Sequence, residues 1–284
     1  MKPKKQFGQN FLMNKNVVGR MVVAAEIKAG ETVLEIGPGK GVLTEALLLG
    51  GAKVFAVEKD RDLISGLKEK FAKEIKNKKL TLIQGDVRDI SLSRYKLRAS
   101  GYKLVANIPY YITGEILRTS LENKIYPSKM VLMVQKEVAR RIMARDGKES
   151  ILAVSIKAYG KPSIITYVGR GNFNPVPNVD SAIIKIDCIS KDFFKGFSPK
   201  STSPEDDVDR ANNPPEADYF SEKRFFEILK TGFSHKRKFL SSNLSKMTPS
   251  SKLKTIFSEI GLSNKIRPEN LTILDWKNLI LGLK

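Results

Sequence analysis

The sequence holds one cysteine, Cys188, and one histidine, His235, in 284 residues. A lone cysteine excludes an internal disulfide framework and any four-cysteine zinc site. A lone histidine removes most remaining metal chemistry and any triad of the usual kind, so no metal site is expected. Acidic residues are also scarce: 30 Asp and Glu face 50 Lys and Arg, a formal net charge of +20. Long apolar runs are missing. The longest starts at Ala46 and passes two glycines to Ala52 before Lys53 stops it, far short of the ~20 residues that cross a bilayer. The basic start, Met1-Lys2-Pro3-Lys4-Lys5, has no apolar stretch behind it and does not read as a signal peptide. These absences lead to the expectation of a cytoplasmic protein without a membrane partner. The positive charge points to a polyanion, nucleic acid first.

What is present has the texture of an α/β chain of about two domains. Short β-branched runs, Thr32–Ile36, Lys53–Val57, Leu80–Ile83, Lys103–Ala106 and Met130–Val134, alternate with helical spacing such as Leu63, Leu67 and Phe71 in Leu63–Ile75. That alternation argues for βαβ units and a parallel sheet with helices on both faces. A Pro-punctuated loop, Asn172 to Pro177, precedes a further strand at Ser181–Asp187. Residues 198–218 are rich in Ser, Pro, Asn and Asp, carry Glu205, Asp206, Asp207 and Asp209, and read as a linker that cannot offset its ordering entropy by burial. From Tyr219 to Lys284 the spacing is helical again, with Phe225, Phe226, Leu229 and Phe233 as core, and 13 basic residues stand against 5 acidic. The expected organisation is a catalytic domain over 1–190, a linker or insertion over 191–218 and a basic helical domain over 219–284.

The first strand runs into Gly37-Pro38-Gly39-Lys40-Gly41 and then a helix. A glycine turn there lets backbone approach a ligand, and the next helix presents free N–H groups. The spacing is G-x-G-x-G, with Val42 where the third glycine of a dinucleotide site would stand. This disfavours a pyrophosphate cofactor, and Glu35 just before the turn suits a cationic ligand. Glu58, 17 residues after Gly41 at the end of the second strand, is placed to accept from ribose hydroxyls. Asp86, after Gly85 at the end of the third, is placed to accept from an adenine amino group. An adenosine that carries a cationic sulfonium and no phosphate, S-adenosylmethionine, fits all three, with S-adenosylhomocysteine as product.

The fourth strand delivers Asn107-Ile108-Pro109-Tyr110 to the same edge. The exocyclic amine of a base is a poor nucleophile because its lone pair is delocalised into the ring. An Asn side-chain oxygen and a backbone carbonyl can each accept one N–H and aim the nitrogen, Pro109 stiffens the turn, and Tyr110 can stack on an extruded base. No strong base is required, and catalysis is largely positioning.

The chain resembles the ribosomal RNA adenine dimethyltransferase family, most closely its bacterial small-subunit (16S) branch. The matching segments are Phe7-Gly8-Gln9-Asn10-Phe11-Leu12, Glu35 to Gly41, Val57-Glu58-Lys59-Asp60, Gly85-Asp86, Asn107 to Tyr110, Gln135-Lys136-Glu137-Val138, Phe173 to Ser181 and Phe233 to Lys238. The resemblance implies a Rossmann-like, seven-stranded class I methyltransferase domain followed by a small helical domain. It implies that Asn10, Leu12, Gly37, Gly39, Glu58, Asp86 and Asn107 line the cofactor pocket, and that Asn107, Pro109 and Tyr110, with Phe173, hold the target adenine. The implied reaction is dimethylation of two adjacent adenosines in a hairpin loop near the 3′ end of 16S rRNA in the small subunit or its precursor, within small-subunit biogenesis. Two departures stand out: Tyr111 follows Tyr110 where the family commonly has Asn, and 198–218 looks like an insertion.

Basic residues near helical spacing, Lys136, Arg140, Arg141 and Arg145, form one candidate RNA-facing stripe, and Lys236, Arg237 and Lys238 form another. Lys2, Lys4 and Lys5 form a basic arm, His235 belongs to the second cluster, and Cys188 is expected to be a small buried residue. Two alternatives compete with the small-subunit enzyme: a large-subunit (23S) adenine methyltransferase of the macrolide-resistance type, and a non-catalytic nucleic-acid-binding factor on the same fold. The intact Gly37, Glu58, Asp86 and Asn107 to Tyr110 set disfavours the second. A monomer is expected.

Overall fold

A computed structural model describes residues 4, 8–95, 97–99, 101–197, 216–235 and 237–283. In chain order the elements are β1 (Phe11–Leu12), α1 (Lys15–Ala25), β2 (Thr32–Ile36), α2 (Val42–Leu49), β3 (Lys53–Glu58), α3 (Arg61–Lys70), α4 (Ala72–Lys76), β4 (Leu80–Gln84), β5 (Lys103–Asn107), α5 (Thr113–Glu122), β6 (Lys129–Gln135), α6 (Lys136–Ile142), α7 (Ile151–Tyr159), β7 (Lys161–Val168), β8 (Phe173–Asn174), β9 (Ser181–Asp187), α8 (Glu216–Gly232), α9 (Leu240–Leu244), α10 (Ser250–Glu259) and α11 (Ile273–Gly282). The chain packs as two units: Met1–Met143 with Gly160–Ile189, and Ala144–Tyr159 with Ser190–Lys284. Residues 144–159, read from sequence as part of the catalytic domain, thus pack with the C-terminal helices. Their α7 is one reason: it buries Ala153, Val154, Ile156, Ala158 and Tyr159, and Tyr159 donates to Glu222 of α8.

The first unit is built on a seven-stranded sheet of order β4-β3-β2-β5-β6-β9-β7. Strands β2 to β6 are parallel, and β9 runs antiparallel to both neighbours. The parallel strands are continuous apolar runs because both of their faces are covered; Val33, Val54, Val105 and Val131 are fully buried. Helix α1 lays Val17, Val18, Met21, Ala24 and Ala25 into this core and is capped by Asn14, whose side chain accepts from the Asn16 N–H. The helix expected over Leu63–Ile75 is broken at Phe71, between α3 and α4.

The two ends of the sheet differ in kind. At the amino ends, Lys103 Nζ lies 2.6 Å from Glu31 Oε2, and Lys129 lies 2.5 Å from Glu26 and 3.4 Å from Asp187, so ion pairs close that edge. At the carboxyl ends the chain turns away after β2, β3, β4 and β5 and leaves a cleft. The chain extends the sheet from β2 through β3 to β4, then returns to the other side of β2 as β5. That reversal is the topological switch point at which open α/β sheets bind ligands.

The second unit is helical. Phe225 packs edge-on against Phe193 and Phe194, and the fully buried Trp276 stacks on Phe233 with ring centroids 5.5 Å apart. A Thr272–Asp275 capping box starts α11. Of the four positions read as core, Phe225 and Leu229 on α8 and Phe233 just beyond it are buried, and Phe226 is half-buried. Cys188 is exposed, contrary to expectation. It follows the last β9 residue with φ at 52°, where the chain swings out of the sheet. Residues 198–215, with Glu205, Asp206, Asp207 and Asp209, lie outside the described residues, as do Lys2, Lys5 and Lys236. Among the described residues no helix is long and apolar enough to cross a membrane.

Candidate active site

Parallel register aligns the strand ends that carry the chemistry. Ile36 of β2 stands beside Val57 of β3 and Ala106 of β5, and Glu58 stands beside Gln84 of β4. The next residues, Gly37, Gly85-Asp86 and Asn107, therefore emerge at one edge. They border an open cleft. Gly37, Gly39, Glu58, Asp86, Asn107, Pro109 and Tyr110 all line it, together with Asn10 from the segment before β1.

The glycine turn is forced by its surroundings. Gly41 has φ of +75°, and a Cβ there would stand 2.5 Å from the Phe71 ring. At Gly39, φ +59°, a Cβ would meet the Phe11 ring at 3.0 Å. Only glycine accepts both the left-handed backbone and the close approach. The turn presents its backbone to the cleft, and Glu58, 6% exposed, accepts the Gly39 N–H at 3.1 Å and the Asp60 N–H at 2.8 Å. Burial raises the Glu58 carboxyl above the ordinary carboxylate value. Asp86 is held the other way: the Arg88 guanidinium keeps its carboxyl far below that range.

On the opposite side of the switch point, the Asn107 Nδ2 donates to the Asn10 carbonyl at 3.2 Å. This fixes the amide plane and leaves Oδ1 as the acceptor. Pro109 has φ −57°, and its carbonyl accepts from Ile112, closing a single 3₁₀ turn over Tyr110–Ile112. Tyr110 is anchored through a 2.6 Å hydrogen bond between its hydroxyl and that of Ser181 on β9, and burial raises its hydroxyl above the usual phenol value. Tyr111 is 61% exposed and lines the cleft.

The residues fit a nucleoside: Glu58 and Asp86 share the cleft with a glycine turn and offer carboxylate acceptors to ribose hydroxyls and an adenine amine. Among the described residues no group of three or more His, Cys, Asp and Glu is placed to hold a metal.

The family model for ribosomal RNA adenine dimethylase matches residues 1–201. The chain belongs to this family. Among its relatives, the Ribosomal RNA small subunit methyltransferase A of Dehalococcoides mccartyi is 39% identical over 283 residues, covering 99% of this chain and 88% of that protein. The protein of the same name from Fusobacterium nucleatum is 38% identical, covering 98% and 97%. A crystal structure of a dimethyladenosine transferase from Plasmodium falciparum superposes with a TM-score of 0.72 at 26% identity, covering 95% of each chain.

Within this dimethylase fold, two residues expected at the pocket have their side chains buried. Leu12 and Phe173 pair across the β1–β8 ribbon and are buried in the core, outside the set that lines the cleft. Their neighbours Asn10 and Phe11 face the cleft instead. Glu35 is also removed. It is fully buried, its Oε2 accepts from Thr44 Oγ1 at 2.7 Å, and its Oε1 has no partner. Burial pushes its pKa up to about 8, so at neutral pH it is mostly a neutral acid and no counter-charge for a cation. Strand alternation is the reason: Glu35 projects toward Thr44 of α2, while the backbone carries on to Gly37.

Sequence reasoning missed several members. Gly8, Gln9 and Phe11 line the cleft, and Asp60 ties their segment down. Asp60 lies 2.7 Å from Lys4 Nζ and accepts from Gln9 Nε2 at 2.9 Å. Lys59 and Arg88 line the same wall as Asp86. Of the proposed RNA-facing residues, Arg140 and Arg141 are exposed on α6, and Lys136 pairs with Asp180 at 3.7 Å and lies over the Tyr167 ring. Helix α6 ends at Ile142, so Arg145 falls outside it. Arg237, Lys238 and His235 are exposed in the second unit.

Proposed function

We propose that this chain transfers methyl groups from S-adenosylmethionine to the N6 amines of two adjacent adenosines near the 3′ end of small-subunit rRNA, two to each. Bound in the cleft, that cofactor supplies an electrophilic methyl group on a sulfonium that leaves as a neutral thioether. Gly37 and Gly39 offer their backbone to it, Glu58 accepts from its ribose hydroxyls and Asp86 from its adenine amine. Asn10 borders the same space and holds the Asn107 amide through its carbonyl.

Asn107 Oδ1 and a backbone carbonyl of the following turn accept the two N–H groups of the target amine. Those hydrogen bonds draw the lone pair out of conjugation and aim it across the cleft. The Tyr110 ring, anchored on Ser181, stacks on a base taken out of its strand. The proton lost from nitrogen passes to water, and positioning supplies most of the rate. The observation that carries this reading is the fixed Asn107 amide in one cleft with Glu58 and Asp86.

Lys136, Arg140 and Arg141, and in the second unit Lys236, Arg237 and Lys238, contact phosphates of the rRNA. The substrate is 16S rRNA in the small subunit or its precursor, and the enzyme works in the cytoplasm as a monomer. The test is incubation with labelled S-adenosylmethionine and undermethylated small subunits, with large subunits in parallel, followed by nucleoside analysis. Dimethyladenosine from small subunits alone, reduced at least a hundredfold in Asn107→Ala, on the scale of losing a positioning group, is the expected outcome. Label in large-subunit RNA would move the chain to the other branch. No label in either, with cofactor bound, would favour a binding factor.

A further inference from the structure

The Asp86 carboxylate has its acceptor positions taken by donors of the protein itself. A carboxylate offers about four lone-pair positions. Here Oδ1 accepts from the Arg88 backbone N–H at 3.1 Å and from Arg88 Nε at 2.8 Å. Oδ2 accepts from Arg88 Nη2 at 2.5 Å and pairs with Lys59 Nζ at 2.9 Å. Three of the four donors come from Arg88. Its backbone N–H belongs to the turn that Asp86 caps, and stays. Its guanidinium is a bidentate fork, the strongest neutralising contact an ionised carboxylate makes with a side chain, and it lines the cleft.

An adenine amine that donates to Asp86 must therefore displace a cation. A swing of the guanidinium is the available route. Its third nitrogen, Nη1, already lies 3.4 Å from Glu115 Oε2 on α5, an exposed carboxylate that can keep the arginine paired when the fork opens. We propose that Arg88 competes with the cofactor's adenine for Asp86 and so sets the affinity for, and release of, the spent cofactor. This rests on the reading of Asp86 as the adenine acceptor. Placing two methyl groups on each of two adenosines needs a fresh cofactor for every transfer, so a group that takes back the adenine's acceptor speeds each exchange.

The test is calorimetric titration of S-adenosylhomocysteine into the full chain, with its release rate by stopped flow, for the native protein, Arg88→Met, Arg88→Lys, Asp86→Asn and the double variant Arg88→Met with Asp86→Asn. Loss of the fork should tighten binding roughly fivefold, the upper range for a partly exposed ion pair, and slow release by a similar factor. Arg88→Lys, which keeps the charge without the fork, should fall between. Asp86→Asn should weaken binding, and in that background Arg88→Met should no longer tighten it. Unchanged or weaker binding in Arg88→Met, with Asp86→Asn weakened, overturns the competition and leaves the acceptor reading standing. Tightening that persists without the Asp86 charge also overturns it. Native binding unaltered by Asp86→Asn removes the acceptor reading and the competition together. A native chain that binds no S-adenosylhomocysteine removes the proposed function and this inference with it.

Discussion

Single residues at this site act through what they are denied as much as through what they touch. Glu35 has one oxygen on Thr44 and the other on nothing, inside the sheet–helix layer. Ionising it would place an uncompensated charge in low dielectric, which is why its pKa is lifted from 4.5 to about 8. The folded chain then holds a proton that the unfolded chain has released. Stability is therefore fully present below about pH 4.5 and falls as pH rises through about 8, by up to about 1.4 kcal/mol per pH unit. Denaturant unfolding of the native chain and Glu35→Gln across pH 5 to 8.5 measures this. The variant should lose less stability over that window, and parallel curves would refute the assignment. The same residue shows where sequence reading stops. Its place before a glycine turn was legible, but which face of β2 it occupied was not, because both faces of a parallel strand are buried and the alternation that marks a half-exposed strand is absent.

At the scale of elements, the parallel strands were legible because continuous β-branched runs can do little else when bounded by glycine turns. Strand ends then followed, and with them Glu58, Asp86 and Asn107. The edge strand β7 was not read, since Pro162 near its start and its half-exposed middle mask the pattern. Leu12 and Phe173 pair across a short two-stranded ribbon that buries both side chains, a pairing that likeness of segment does not reveal. The glycine turn is where element and site meet, and it makes a sharp prediction. Gly41→Ala puts a methyl group against Phe71 and Leu67 at a φ of +75°. Left-handed strain and overpacking together should cost about 2 kcal/mol or more. The unfolding midpoint should drop and S-adenosylhomocysteine affinity with it, because the turn that feeds α2 cannot keep its path. A variant as stable as the native chain would mean that Phe71 yields freely and that the turn is not held by packing.

The whole molecule carries a charge of +20, and the question is how much of it meets phosphate. Exposed cations lie on both units, Arg140 and Arg141 on the first and Arg237 and Lys238 on the second. Each phosphate neutralised releases counterions, so log affinity falls with log salt by about 0.7 to 0.9 per contact. If about five contacts form, the slope is near −3.5 to −4.5. Replacing Arg140 and Arg141 together with alanine should make the slope shallower by about 1.4 to 1.8, and the same should follow for Arg237 with Lys238. Filter binding of a small-subunit rRNA fragment between 50 and 300 mM salt measures both. The comparison is more telling than either affinity alone, because a charge on the solvated face of a helix weakens long-range attraction without changing the number of ions released. A pair whose loss leaves the slope unchanged is surface charge, whatever its effect at one salt concentration. A slope change from both pairs requires the RNA to touch both units in one complex, and an enzyme that engaged its target loop through the first unit alone would show it for Arg140 and Arg141 only.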